Sequence, residues 1–245
     1  MSEAVVEASS RFSERILKLL ERVDHCIART PSEKDEIYRL RHEAYIRNEL
    51  IDPCADGRLY DSHYDDDQQC WITSTYIDGE LVATVRVNLG FGTEAVLPSQ
   101  QVFSDVILPH LKAGRLIADF TRAAARLEAS KRFPELPYLA LRPGYMALKH
   151  FDVDVAIASP RPEHAAFYRR VFQFVPLSEP RSYPNVVPQV MCLGMEFHAV
   201  RDRVEARYPF FCSSLAERRS LFGDGLAETF ARPAIKQDLA VAAGA

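Results

Sequence analysis

Residues 71–77 (WITSTYI) and 80–88 (ELVATVRVN) are β-branched runs separated only by Asp78-Gly79. An Asp-Gly pair between two such runs favours the positive-φ turn that matches strand twist, so the segment is expected to be a two-residue hairpin. The second run carries a guanidinium, Arg86, on the same face as Val82 and Thr84. A charge buried without a partner is prohibitive. Either this strand faces water, or Arg86 is paired and lines a cleft. Asp119 poses the same question in the run 115–125 (RLIADFTRAAA), where it shares a face with Thr121. Arg122 points to the other face unless a bulge changes the parity. If the two strands are neighbours, Asp119 is the expected partner of Arg86, as a structural ion pair or as part of a site.

The rest of the chain alternates helical and extended patterns. Phe12, Ile16, Leu19 and Leu20 recur at helical spacing in 10–21, and a short strand is expected at 24–28. A second helix opens at Pro31-Ser32, with Ser32 as its N-cap, and runs to about residue 50, before Asp52-Pro53. The Asp-rich stretch 52–70 reads as a long loop. A helix is expected at 100–111, and a helical region at 139–150 that Pro143-Gly144 interrupts. A buried strand follows at 153–159, then a helix opened by Pro162. Residues 174–179 and 188–197 pair as closing strands, 199–230 read as helical, and the alanine-rich end as frayed. One mixed sheet flanked by helices accommodates this order.

Among 245 residues the formal net charge is −4, which argues against nucleic acid as a partner. No apolar run reaches the roughly 18–20 residues of a membrane span, and the N-terminus lacks a signal-type apolar core. Five scattered cysteines form no CxxC pair, so reduced thiols in the cytoplasm are expected, and no zinc site. The acids Asp61, Asp65, Asp66 and Asp67 with His63 match no metal-binding spacing and read as a solvated loop. On the second helix, Arg41 and Tyr45 share a side with Tyr38. His164, Phe167 and Tyr168 share one face of a later helix, either as core packing or with the phenol aimed into a cleft.

In order, Tyr38-Arg39-Leu40-Arg41-His42, Tyr45, Asp65, Gly79, Val85-Arg86-Val87 and Asp119-Phe120-Thr121-Arg122 resemble the pattern of acyl-homoserine-lactone synthases. The stretch from Arg161 to Arg170, with Pro176-Leu177, Glu179-Pro180-Arg181 and Tyr183-Pro184, resembles the N-acyl amino acid synthases of the FeeM type. So does Arg207-Tyr208-Pro209-Phe210-Phe211 with Glu217-Arg218 and Leu221-Phe222. The resemblance spans about residues 23–222. Departures exist: Ile51 lies where the lactone synthases carry Trp, Asp61 is out of register with their acidic loop, and Gln173-Phe174 replaces a Gly-Phe.

The resemblance implies an α/β (α+β) GNAT-like acyl-CoA N-acyltransferase fold, with a central mixed, mostly antiparallel sheet. Residues 1–22 would be an N-terminal helix, 23–198 the acyltransferase domain and 199–245 a helical extension and tail. It implies an enzyme that moves a fatty acyl group from acyl carrier protein to the amine of an amino acid. An acyl-homoserine-lactone synthase and a non-catalytic acyl-carrier-binding module are the alternatives. No cofactor would be bound; the donor would be acyl-phosphopantetheine on the carrier protein. The stretch 126–137 (RLEASKRFPELP) lacks the glycines that hold the pyrophosphate of coenzyme A, which points the same way. Carried over residue by residue, Asp119 would be the base, Tyr168 the acid for the leaving thiolate, and Arg86 an orienting group. Arg41, Tyr45, Asp65, Thr121, Arg122, His164, Phe167 and Arg181 would contact substrate, and Phe103, Phe167 and Phe172 would line an acyl slot. Arg169 and Arg170, with Lys131, Arg132, Arg142, Lys149, Arg161 and Arg181, would form a basic rim for an acidic carrier protein.

Overall fold

The computed structural model describes residues 3–223. After helix α1 (Glu3–Leu20) and strand β1 (Val23–Ile27), helix α2 spans Pro31–Arg47. Its N-cap is Thr30 rather than Ser32. The Thr30 hydroxyl accepts from the Glu33 amide at 3.3 Å, and the Glu33 carboxylate accepts from the Thr30 amide at 2.9 Å. Pro31 occupies the first helical position, where its missing N–H costs nothing, and this shifts the cap one residue before the proline. Asn48 closes the helix, donating through Nδ2 to the Ala44 carbonyl at 2.7 Å. The loop that follows contains one helical turn, α3 (Ser62–Asp65).

Strands β2 (Cys70–Ile77) and β3 (Glu80–Gly90) form the expected hairpin, with Asp78 at φ 52° and Gly79 at φ 80°. Arg22 clamps the turn, its Nε 2.9 Å from the Asp78 carboxylate. From Leu81 onward β3 is buried at every position, so it is a central strand covered on both faces. Helix α4 (Gln100–Lys112) leads to β4 (Ile117–Ala125), α5 (Leu127–Arg132), α6 (Leu136–His150) and β5 (Val155–Ala158). A short 3-10 turn at Pro162–His164 precedes α7 (Ala165–Phe172). Then come β6 (Val175–Pro176), β7 (Arg181–Tyr183), β8 (Val186–Val190), β9 (Leu193–Glu196), α8 (Phe197–Arg207) and α9 (Leu215–Phe222).

The main sheet runs β1-β2-β3-β4-β5-β9-β6, antiparallel throughout except for the parallel β4–β5 pair. Strands β7 and β8 form a separate hairpin that the sequence reading did not anticipate. The adjacency of the Arg86 and Asp119 strands is as expected. The interruption at Pro143-Gly144 is not: α6 runs through both residues. A proline inside a helix costs about 3 kcal/mol. Here α6 buries Leu136, Leu139, Leu141, Tyr145, Met146 and Leu148, and burial of a large apolar side chain returns roughly 1.5–3 kcal/mol each. Helices α8 and α9 are part of the same packing, since Phe197, Val200 and Val204 of α8, Phe210 and Phe211 of the turn between them, and Leu221 and Phe222 of α9 join the core around α6. The helical reading beyond residue 223 and the frayed tail lie outside the described residues.

Gly144 sets the distance between α6 and β4. A Cβ there would fall 2.4 Å from Cε1 of Phe120. Gly144→Ala is therefore expected to lower stability by about 1–3 kcal/mol despite alanine's better helix propensity, because the Phe120 ring must move. Urea denaturation checks this; an equal or higher midpoint would contradict the close packing.

Candidate active site

Strands β4 and β5 stay in register only as far as Phe120 and Ala158. Strand β4 continues to Ala125, whereas β5 ends and the chain turns through Ser159-Pro160. The two strands therefore fork, and the fork opens into a cleft of about 680 Å³. Residues Phe120–Ala125 form one wall. Ser159, Arg161, His164, Phe167 and Tyr168 form the opposite one. One end is apolar, bounded by Leu127, Pro134, Leu136, Pro137, Ala140 and Leu141. The other end holds Arg86, Arg122, Tyr45 and Asn48 under the β7–β8 hairpin. The Val187 amide donates to the Leu50 carbonyl at 2.9 Å, which fastens this hairpin across the cleft.

Strand β4 bulges inside the cleft. Thr84 pairs with Ala124 and Arg86 with Thr121, so three steps along β4 match two along β3. Arg122 takes up the extra residue at φ 54°. The bulge brings both Thr121 and Arg122 into the cleft, the change of parity that strict alternation would forbid. Arg122 lies 5.7 Å from the Tyr45 ring centroid and has no ion pair among the described residues.

Behind the cationic end is a buried charge cluster. Arg41, Asp65 and Arg86 are 0%, 3% and 2% exposed. Arg41 donates to Asp65 Oδ1 at 2.8 Å, and Arg86 lies 3.3 Å from the same oxygen. The other carboxylate oxygen accepts from the Asp61 amide at 2.9 Å. Burial by itself would raise the Asp65 carboxyl, but Arg41 and Arg86, with these hydrogen bonds, hold it below the usual carboxylate range. Arg86 also donates from Nε to Thr121 Oγ1 at 3.0 Å. Two guanidiniums share one carboxylate, so the cluster carries an excess positive charge at the cleft wall.

Asp119 is not the partner of Arg86. It lies opposite Asn88 in the register and is fully buried. Its carboxylate accepts from the Ser99 amide at 2.7 Å and the Ser99 hydroxyl at 2.8 Å. Burial pushes its pKa up to about 6 despite those donors and the nearby Arg86 charge. Ser99 Oγ is also 2.7 Å from Ser159 Oγ, which faces the cleft. Tyr168 lines the cleft half-buried, and burial, with Tyr45 nearby, pushes its phenol up to about 12. It therefore stays protonated and able to donate. His164 contacts Arg161 at 2.9 Å, and burial plus that cation lower its pKa, so it is neutral near pH 7.

A family model described as N-acyl amino acid synthase FeeM matches residues 36–196, about two thirds of the chain. The chain belongs to the FeeM family. It is accordingly an N-acyltransferase. The FeeM N-acyl amino acid synthase from uncultured soil microbes has the same fold at 14% identity, with a TM-score of 0.65 over 76% of this chain and 98% of that one. The CoA-dependent acyl-homoserine lactone synthase MesI aligns with a TM-score of 0.53 at 13% identity, over 78% of this chain and 97% of its own. BjaI, a CoA-dependent acyl-homoserine lactone synthase solved with MTA, gives 0.51 at 17% identity, over 77% and 90%. Comparison with curated proteins gives no match.

In this FeeM-family enzyme the fold gathers Arg86, Tyr45, Thr121, Arg122, His164, Phe167 and Tyr168 around one cleft. Arg41 and Asp65 stand behind Arg86. Other expectations fail. Arg181 is held at Asp105, 2.7 Å away, and covers Phe103, so it does not reach the cleft. Phe103 and Phe172 are core residues; of the three phenylalanines expected in an acyl slot, only Phe167 lines the cleft. The basic rim also shrinks. Arg142 is buried against the Phe210 and Cys212 carbonyls, and Lys149 pairs with Glu205 at 2.7 Å. Arg169 and Arg170 remain exposed on α7, and Lys131 and Arg132 on α5, both helices that contribute to the cleft. Ser99 and Ser159 went unnoticed in the sequence, and Tyr183 stood out only as part of the family pattern, with no place in the cleft assigned to it. Ser99 directly precedes α4, where a serine hydroxyl ordinarily caps the helix, so nothing marked it for another partner. Among the described residues, no group of three or more His, Cys, Asp or Glu side chains is placed to hold a metal ion, and no helix is long and apolar enough to cross a membrane.

Proposed function

We propose that the enzyme transfers a fatty acyl group from the phosphopantetheine arm of acyl carrier protein to the α-amine of an amino acid, in the cytoplasm. The polarity of the cleft carries this reading. Its apolar end, between β4, α5 and α6, suits an acyl chain. Its other end offers Arg122 and Arg86 to a carboxylate, with the strand fork between them. The thioester would lie at the fork, where Tyr168, kept protonated, can donate to the departing thiolate. Asp65, the one acid in register with the lactone-synthase pattern, is committed to two arginines. That favours an amino acid carboxylate over a cationic acceptor.

The donor preference rests on the segment before α6. A coenzyme A cradle needs a loop of free amides. Here the segment is helix α5, and the Ser130 amide is spent on the Arg126 carbonyl at 3.0 Å. A carrier protein brings no adenosine pyrophosphate to this wall, and its acidic surface would meet Arg169 and Arg170. Mass spectrometry of reactions with acyl-carrier protein or acyl-CoA and a pool of amino acids tests the reading. Arg169→Glu combined with Arg170→Glu is expected to raise KM for the carrier-protein donor about tenfold or more, with kcat little changed. Added salt should raise wild-type KM and affect the variant much less. Equal turnover of acyl-CoA, with no salt effect, would rule out the docking surface.

A further inference from the structure

The acid that the sequence marks as a base is sealed from the cleft. Asp119 is 0% exposed and does not line the cavity. A continuous hydrogen-bonded path nevertheless joins it to the cleft: Asp119 Oδ1 to Ser99 Oγ at 2.8 Å, and Ser99 Oγ to Ser159 Oγ at 2.7 Å. The direction of the path follows from counting hydrogens. A serine hydroxyl has one proton to donate. Ser99 spends its proton on the Asp119 carboxylate, so Ser159 must donate to Ser99. The Ser159 oxygen then keeps a lone pair for a donor in the cleft.

The path is fixed at both ends. Ser99 is fully buried, directly precedes α4, and makes no side-chain capping bond to that helix. Its amide also binds Asp119, at 2.7 Å. Tyr183 donates to the Pro98 carbonyl at 2.7 Å, which ties the loop carrying Ser99 to the hairpin over the cleft. Ser159 directly follows Ala158, the last residue of β5 in register, so its hydroxyl sits at the fork itself.

We propose that Ser159, Ser99 and Asp119 form a proton relay that deprotonates the attacking amine. This rests on the acyl-transfer reading above. An α-amine is largely an ammonium near neutral pH. The ammonium N–H bond breaks as its proton passes to Ser159 Oγ. The Ser159 proton moves to Ser99 Oγ and the Ser99 proton to Asp119, which becomes a neutral carboxylic acid. The freed nitrogen pair forms the C–N bond while the carbonyl π pair moves to oxygen. The tetrahedral species then re-forms its carbonyl and expels the thiolate, which takes its proton from Tyr168. The second proton of the nitrogen restores the Tyr168 phenol, and Asp119 returns its proton to solvent through the same serines. Ser159 is the catalytic residue in contact with substrate; Ser99 and Asp119 act through it.

The groups facing Asp119 from its surroundings are Arg86 on β3, Tyr64 on α3, Tyr183 on β7 and Cys192 before β9. Tyr64, Tyr183 and Cys192 all have raised pKa values, so they remain neutral while Asp119 titrates. The relay accepts a proton only while Asp119 is ionised, so kcat should fall as pH drops through about 6.

The experiment is steady-state kinetics of the full chain from pH 5 to 9, with acyl-carrier protein and the preferred amino acid, for wild type, Ser159→Ala, Ser159→Thr and Asp119→Asn. Ser159→Ala is expected to lower kcat about 100-fold, leave donor KM unchanged and abolish the limb near pH 6. Ser159→Thr, which keeps the hydroxyl, should recover most of the rate. Asp119→Asn should lose the same limb. An active wild type with a Ser159→Ala variant of normal rate and unchanged pH profile overturns the relay and leaves the acyl-transfer reading intact. A folded wild type that makes no N-acyl product from carrier-protein or CoA donors overturns both.

Discussion

Asp65→Asn is expected to cost about 3–5 kcal/mol of folding stability, more than any single loss of an exposed ion pair. The reason is the uneven cluster: two guanidiniums, both essentially inaccessible to water, share this one carboxylate. Removing its charge leaves two buried cations facing each other. Arg41→Met should cost less, because Arg86 and Asp65 then balance. The pH dependence has a defined sign. The folded Asp65 pKa lies below its unfolded value of about 3.9. Its contribution is therefore complete above that value and is lost as pH falls through the lower folded one. Urea unfolding of the two variants at pH 7, and of wild type from pH 7 to pH 3, measures this. Equal, small losses for Asp65→Asn and Arg41→Met would mean that the cluster is solvated.

Arg122→Ala is expected to raise KM for the amino acid acceptor by about 100-fold while changing kcat only a few-fold. A charge-assisted hydrogen bond contributes roughly 1.5–3 kcal/mol, and each 1.4 kcal/mol is tenfold. Among the described residues Arg122 has the Tyr45 ring beside it and no ion pair, so a substrate carboxylate meets a guanidinium that none of their acids neutralises. An acceptor amide, lacking the carboxylate, should bind wild type and variant about equally. A variant that binds the amino acid normally would exclude Arg122 as its anchor. The carboxylate would then belong to Arg86, whose charge is shared with Asp65.

Much of the fold could be read along the chain because the signals are local. Asp78-Gly79 specifies its turn through two positive φ values, whatever packs around it. The run of the Asp119 strand, the helix with Arg41 and Tyr45 on one side, and the helix carrying Tyr168 follow from periodicity. The family pattern named several side chains that line the cleft, among them Tyr45, Arg86, Thr121, Arg122 and Tyr168. Where the local reading failed, a distant contact had overridden a local preference. Pro143-Gly144 does not break α6, because the helix is buried along its length and Gly144 lets Phe120 approach. Arg181 lies in a stretch of family resemblance, yet its ion pair with Asp105 on α4 takes it elsewhere.

The partners of the buried charges were not legible at all. That Arg86 needed an acid followed from its place in an apolar strand; that the acid is Asp65 did not. Strand pairing sets Arg86 opposite Thr121 and Asp119 opposite Asn88, two positions further along, so the two charges are offset and Asp119 makes no direct bond to Arg86. Asp119 instead meets a serine 20 positions earlier, whose hydroxyl reaches another serine 60 positions later. Sequence by itself determined the elements, the hairpin, the mixed sheet and which polar residues would need partners, because these depend on spacing along the chain and on the cost of burying charge. Only the tertiary structure decided which partner each received and which face of β4 opens to the cleft. A hydrogen bond forms over less than 3.5 Å, and no regularity of sequence spacing carries distances that short between residues so far apart.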